Sequence, residues 1–239
     1  MQARGTEFDL FGKPIVRRAS AAQMALPLKW RHGFVARHGD FLVGESNAHA
    51  AQHVQDFANW YSPASIVVGP PKSGKSLLAT LFSQAGAGEI IDGLTDTPEA
   101  DVFHAWNRAV ADSRKLLIIA NSTADLDQVR LPDLRTRLST APVVHIAEPD
   151  YDLAVALVDR LLAQRGLAVT ATIPRYMVDR IDRSYASIHG CVDGIDRESM
   201  ASGRPLGVRL VRDVLGAMGI TIDPDNGSDV NGVGAEDAL

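Results

Sequence analysis

Apolar and polar positions follow two different rhythms along this chain, and the rhythm changes near residue 149. Before that point, short apolar runs alternate with helical stretches. Ser65-Ile66-Val67-Val68, Glu89-Ile90-Ile91-Asp92, Lys115 to Ala120 and Val143-Val144-His145-Ile146 each read as a buried strand. Between them lie a helix from Asn47 to Tyr61 capped by Ser46 or Asn47, a buried helix through Leu77–Phe82, and a helix over 98–112 with Pro98 in its first turn. Strands alternating with helices predict a parallel sheet of four strands, near 65–69, 89–92, 115–120 and 143–146. From Pro149 the strand signals stop. Leu153, Leu157 and Leu161 share one helical face, and Met177, Ile181 and Tyr185 share another. Pro205 opens a last helix with Val208, Val211, Leu215 and Met218 inward. The expected fold class is therefore α/β followed by a small all-helical domain. The segments are an N-terminal extension over 1–40, an α/β domain over 41–148, a helical domain over 149–219 and a tail over 220–239.

The first strand leads into the strongest chemical signal. Gly69-Pro70-Pro71-Lys72-Ser73-Gly74-Lys75-Ser76 fits G-x-x-x-x-G-K-[ST], the phosphate-binding P-loop, and it lies between a strand and a helix as that motif requires. The N–H groups of this loop and the helix N-terminus suit phosphate oxygens. Lys75 would reach the β- and γ-phosphates, and the Ser76 hydroxyl would hold Mg²⁺. ADP or ATP with Mg²⁺ is the expected cofactor. A P-loop ATPase also needs a carboxylate at a strand end to orient Mg²⁺ through water, and Asp92 fits. A second acid directly after it commonly polarises the attacking water; here that position is Gly93. Asn121 lies just past the 115–120 strand, where a polar side chain can sense the γ-phosphate or simply form a turn.

Composition narrows the setting. The single cysteine, Cys191, excludes a disulfide framework, fits a reducing cytoplasm and reads as core. No apolar run approaches bilayer length and no signal-peptide core is evident, so a cytoplasmic protein with no membrane partner is expected. The net charge is −5, and the five acids after Ile220 (Asp223, Asp225, Asp229, Glu236, Asp237) account for all of it. That acidic tail, rich in Asn, Gly and Ser, is expected to be disordered. The neutral remainder argues against sequence-specific DNA binding, which needs clustered basic charge. His49 and His53 are four apart on a helix, but H-A-A-Q-H lacks the Glu of a zinc protease and a third ligand.

Upstream, Gln23-Met24-Ala25-Leu26-Pro27-Leu28 is a compact apolar peptide of the kind that docks into a groove. Gln23 would bond at a pocket rim, Leu26 and Leu28 would fill the pocket, and Pro27 stiffens the segment. A linker packed on its own domain is the other reading. Glu7-Phe8-Asp9-Leu10-Phe11 faintly resembles a second such peptide, with Glu in place of Gln.

Several of these segments taken together resemble one family. Asp101-Val102-Phe103-His104-Ala105-Trp106-Asn107, the stretch Leu131-Pro132-Asp133-Leu134-Arg135-Thr136-Arg137-Leu138, the P-loop and the helical segment after it resemble the DnaA-related AAA+ ATPases. The closer resemblance is to the shortened Hda (or HdaA) regulators that inactivate the replication initiator DnaA, and it covers about residues 20–218. It implies an AAA+ domain with a helical lid, side-by-side assembly, the sliding clamp of DNA polymerase and DnaA as partners, and a possible homo-oligomer. By position, Lys75, Ser76 and Asp92 match the nucleotide and Mg²⁺ residues, and Asn121 matches the sensor. Arg137 matches an arginine finger that completes a neighbour's site, and Gln23–Leu28 matches the clamp-binding motif. No counterpart of DnaA's helix-turn-helix is present in the sequence. Three departures stand out. Gly93 replaces the second acid; the lid arginine of the family's second sensor falls at Ala186, with Arg183 one turn earlier as a substitute; and only 17 positions separate Lys75 from Asp92. The last implies loss of the strand–helix unit that usually builds the sheet edge. The first two imply weak or no intrinsic hydrolysis with nucleotide binding intact. The expected function is negative regulation of replication initiation, by stimulating ATP hydrolysis in DnaA in trans. A self-sufficient ATPase loading a partner on single-stranded DNA and a small-molecule phosphotransferase remain as alternatives.

Overall fold

The computed structural model describes residues 36–38 and 41–220. The Gln23–Leu28 peptide, the 7–11 segment and the acidic tail lie outside the described residues. A short hairpin opens the described chain, β1 (Ala36–His38) pairing antiparallel with β2 (Phe41–Val43). Helix α1 (Ala48–Gln55) and a single 3₁₀ turn (Phe57–Asn59) lead into β3 (Ala64–Val68). Then follow α2 (Lys75–Gln84), β4 (Gly88–Asp92), α3 (Glu99–Ala111), β5 (Lys115–Ala120), two short helices α4 (Ala124–Asp127) and α5 (Pro132–Leu138), and β6 (Val143–His145).

The main sheet has four parallel strands in the order β4-β5-β3-β6. Four is the number expected from the short Lys75–Asp92 interval, and β4, with its Asp92, forms an edge of that sheet. The strands are buried on both faces, so their residues alternate between two cores rather than between core and water. Val67, Leu117, Ile119 and Val144 pack towards α1 and α2 with Leu78 and Phe82. Ala64, Ile66, Leu116 and Ile118 pack on the other face with Val102, Trp106 and Leu134 of α3 and α5. Phe82 anchors the first layer: Trp60 stacks on it at 5.6 Å, and His53 stacks on Trp60 at 5.1 Å. His53 also bonds Ser65 Oγ at 2.7 Å and is held neutral-leaning by burial. It is therefore a half-buried packing residue, and among the described residues no cluster of His, Cys, Asp and Glu is arranged to hold a metal.

One close approach fixes the β4 edge. A Cβ at Gly88 would lie 1.7 Å from the Lys115 carbonyl oxygen, so β4 and β5 can pair here only with glycine. Gly88→Ala is expected to cost about 1–3 kcal/mol through the backbone shift it forces, lowering Tm by about 2–12 °C. A thermal melt within 1 °C of wild type would contradict this.

The helical part consists of α6 (Tyr151–Gln164), α7 (Thr172–Val178), α8 (Tyr185–Ser202) and α9 (Val208–Ala217), around a core of its own that includes Val158, Leu162, Met177, Ile188, Val192, Val211 and Leu215. Asp150 caps α6 by accepting from Leu153 N at 2.9 Å, and Ser184 caps α8 by accepting from Ser187 N. Cys191 is buried in this core, and burial pushes its thiol up.

Four local expectations need correction. The Asn47–Tyr61 helix breaks at Gln55, and neither expected cap residue caps it by side chain. Asn47 instead holds the end of β2, accepting from Gly44 N and donating to Leu42 O, while Ser46 bonds Asp150. Met177, Ile181 and Tyr185 do not share a helix: α7 ends at Val178 and α8 begins at Tyr185, although all three are buried. In α9 the buried face is Leu210, Val211, Val214 and Leu215, whereas Val208 and Met218 are exposed. Val208 is the first residue of that helix and Met218 its cap, so neither lies on the packed stripe.

Candidate nucleotide site

The P-loop runs from the C-terminal end of β3 to the N-terminus of α2, at the carboxyl ends of the parallel strands, where such folds bind ligands. Lys72 takes the left-handed conformation (φ 64°), which a turn of this tightness demands of a non-glycine residue only at some strain. Lys75, on the first turn of α2, is only 6 % exposed. Its ammonium donates to the carbonyls of Gly69 and Pro70, both at 2.7 Å. Burial lowers its pKa, opposed by the carboxylates of Asp92 and Asp125. The loop thus stores a desolvated cation on its own carbonyls, ready for an anion. Ser73 Oγ is buried and has no hydrogen-bond partner, an orphan in the middle of the loop. Ser76 is exposed on α2 and Asp92 is exposed at the end of β4. A desolvated ammonium, an orphan hydroxyl and an exposed Ser–Asp pair fit a nucleotide phosphate with its Mg²⁺.

Gly93 does more than omit a carboxylate. Its φ is +102°, a conformation that L-residues rarely adopt, and a Cβ there would meet Asp96 Oδ2 at 2.8 Å. Thr97 Oγ1 donates to Gly93 O at 2.9 Å and pins the turn. The chain after Asp92 is therefore built for glycine, and an acid at this position would strain it.

Sequence reasoning missed Asp125. It accepts from Asn121 N at 2.8 Å and from Ser122 N and Ser122 Oγ, and these bonds hold its carboxyl below the usual range despite burial. Asp125 fixes the turn that carries Asn121 at the end of β5, and its charge is felt at Lys75. The S-x-x-D spacing of Ser122 and Asp125, a turn-and-cap signature, was the available signal.

A cleft of about 190 Å³ opens between the P-loop and the helical part. Phe41 and Leu42 of β2, together with Leu157 and Leu161 of α6, give it an apolar lining suited to a base. Lys72 of the loop and Arg160 of α6 give it cations, and His189 of α8 adds an imidazole whose charged form burial disfavours. Arg183 is not among its lining residues; it is exposed in the connection before α8. Ala186 is exposed too. Arg160 and His189 carried no motif, and only the packing of α6 and α8 brings them to the loop.

Arg137 lies elsewhere, on α5. Its Nη1 donates to Asn107 Oδ1 at 2.6 Å, and its guanidinium stacks over the Phe103 ring at 4.5 Å. Arg135, two positions earlier, is turned the other way and donates to the carbonyl of Val129. Glu99 receives Arg130 N and Leu131 N at 2.8 and 2.7 Å, which tethers the entry of α5 to α3 and lowers the Glu99 pKa.

Comparison with known proteins agrees with this geometry. Residues 152–215 match the family model described as the lid domain of Hda. Domain III of the replication initiation protein DnaA from Thermotoga maritima superposes with a TM-score of 0.58 at 12 % identity, over 74 % of this chain and 94 % of that one. A structure of the replication initiator DnaA bound to AMPPCP and single-stranded DNA gives 0.51 at 14 % identity, over 69 % and 66 %. A RuvB variant from Thermotoga maritima gives 0.51 at 11 %, over 74 % and 68 %. An uncharacterised protein of Haemophilus influenzae is 24 % identical over 121 residues, 50 % of this chain and 52 % of that protein, so the match spans about half of that relative. Fold and P-loop together define the class: an α/β P-loop module with a parallel sheet followed by a small helical domain, similar in fold to DnaA domain III and RuvB. The particular resemblance is to Hda, and the lid carries it. No described helix is long and apolar enough to cross a membrane.

Proposed function

We propose that this protein is a cytoplasmic, DnaA-related regulator of replication initiation, in which nucleotide acts mainly as a structural ligand. The observation that carries the reading is an Hda-type lid closing over a P-loop whose acidic strand end is followed by a glycine at φ +102°. ADP or ATP would lie with its phosphates on Gly69–Ser76, near Lys75, and Mg²⁺ would be held by Ser76 and, through water, Asp92. With Gly93 unable to supply a base, own-site hydrolysis is expected to be slow. Arg137, on the surface formed by α3 and α5, would be offered to ATP bound by DnaA. The Gln23–Leu28 peptide would tether the protein to the DNA-loaded sliding clamp, and a homo-oligomer is compatible with the same surfaces. Direct sequence-specific DNA contacts are not needed.

The tether is tested separately. Replacing Gln23, Leu26 and Leu28 by Ala is expected to weaken clamp capture more than tenfold, since pocket anchors carry most of such an interface's energy, at about 2 kcal/mol or more each. The melting temperature should hardly change. A clamp pull-down beside a thermal melt measures both; capture at the wild-type level, or an unfolded variant, would make the segment structural.

A further inference from the structure

We infer that His189 is the lid's titratable contact to the bound nucleotide's phosphates, so that nucleotide binding takes up a proton at this side chain. This deepens the nucleotide-site reading above and rests on it. His189 lies on α8 and lines the same cleft as Lys72, Ser73 and Gly74 of the P-loop. It is half-buried, and the loop hydroxyl that it shares the cleft with, Ser73 Oγ, is buried without a partner. The groups around it come from three elements. Lys72 faces it from the loop, Arg165 from the end of α6 and Asp193 from its own helix one turn on. Arg160 of α6 lines the same cleft. Arg165 is itself paired with Asp193 and Asp196, so much of the acidic charge near His189 is already engaged.

Without nucleotide this environment disfavours the imidazolium. Burial does so most, Lys72 adds to it and Asp193 opposes, and the pKa is lowered from the usual histidine value. A di- or triphosphate on the loop reverses the balance, because it brings negative charge to the side of His189 that now sees Lys72. The bound-state pKa is then higher than the free-state pKa. Below both values His189 is protonated in either state and affinity is highest. As pH rises from the free to the bound pKa, affinity falls, by at most tenfold per pH unit for one proton. Above the bound pKa it levels off. No proton leaves the nucleotide in this exchange; it comes from solvent and rests on the imidazole.

The test is isothermal titration of ADP with Mg²⁺ into the full-length protein at pH 6.0, 7.0 and 8.5, each in two buffers of different ionisation enthalpy. Wild type is expected to take up part of a proton at pH 7.0. His189→Gln should lose that uptake and bind about tenfold more weakly than wild type at pH 6.0, with the two converging at pH 8.5. His189→Arg should bind tightly with little dependence on pH. The nucleotide's own phosphate titration is common to all three proteins and cancels in the comparison. Equal proton uptake by wild type and His189→Gln would overturn the assignment while leaving the nucleotide site standing. Failure of folded wild type to bind ADP or ATP at any pH would remove the site reading, and this inference with it.

Discussion

Arg137→Ala is expected to remove the stimulation of ATP hydrolysis in DnaA while leaving nucleotide and clamp binding intact. The expectation comes from an asymmetry. Arg137 is held by Asn107 and Phe103, and none of the three is among the residues that line this chain's own cleft. The own site, in turn, has a glycine where a water-polarising acid would stand. An arginine finger supplied in trans contributes ~10³–10⁵ to the partner's rate, so its loss is plain in a reconstituted reaction. That reaction holds ATP-loaded DnaA, DNA-loaded clamp and each variant, and follows phosphate release. The stability cost should be small, about 1–2 kcal/mol, for one half-exposed hydrogen bond and one cation–π contact. Arg135→Ala is the matched control: its guanidinium serves Val129 O in the α4–α5 connection, so stimulation should fall far less. Full activity in Arg137→Ala would remove the finger from the scheme. Vigorous ATP turnover by the wild-type chain alone would overturn the division of labour.

The two parts of the site were unequally legible from sequence, and the reason is physical. The P-loop was legible because phosphate binding is done by one contiguous turn with fixed residue types, and the strand and helix flanking it declare themselves by burial. The strand count was legible because Lys75 and Asp92 are too close in sequence to admit another strand–helix unit, and the sheet β4-β5-β3-β6 has none. The cleft was not legible. Arg160 and His189 meet the loop only because α6 and α8 pack across it, and no local pattern encodes that contact. Arg183 was read as a substitute from its position one turn before Ala186, but α8 begins only at Tyr185, so Arg183 is in the preceding connection rather than on the helix. The same boundary separates Tyr185, which joins the core under α1 and α2, from Met177 and Ile181, which lie in the core of the helical part. Gly93 was legible as an absent acid. That its backbone conformation excludes one required the φ angle and the neighbouring Asp96.

Lys75→Ala is expected to abolish the nucleotide-dependent stabilisation of the protein with little change in its stability without nucleotide. A ligand that binds only the folded state stabilises it by about 2.7 kcal/mol at a hundred times its Kd, which for a protein of this size raises Tm by about 5–10 °C. Lys75 is a buried P-loop cation placed by the first turn of α2 to meet the phosphate charge. Without nucleotide its removal has opposed effects. Two charge-assisted bonds to Gly69 O and Pro70 O are lost, but so is the cost of keeping a desolvated ammonium. These two effects offset one another, so the net change should stay within about 1 kcal/mol, or about 2–4 °C. Thermal melts of wild type and variant with and without Mg²⁺ and saturating ADP make the comparison. A variant that keeps the full nucleotide shift would show that phosphate is held elsewhere. A variant that melts far below wild type before any ligand is added would make Lys75 a structural residue, and the stimulation of DnaA should then fail in Lys75→Ala for want of folded protein. On the proposed function it should fail less sharply than in Arg137→Ala, because that proposal gives Lys75 only this protein's own nucleotide and gives Arg137 the finger's part in DnaA's site.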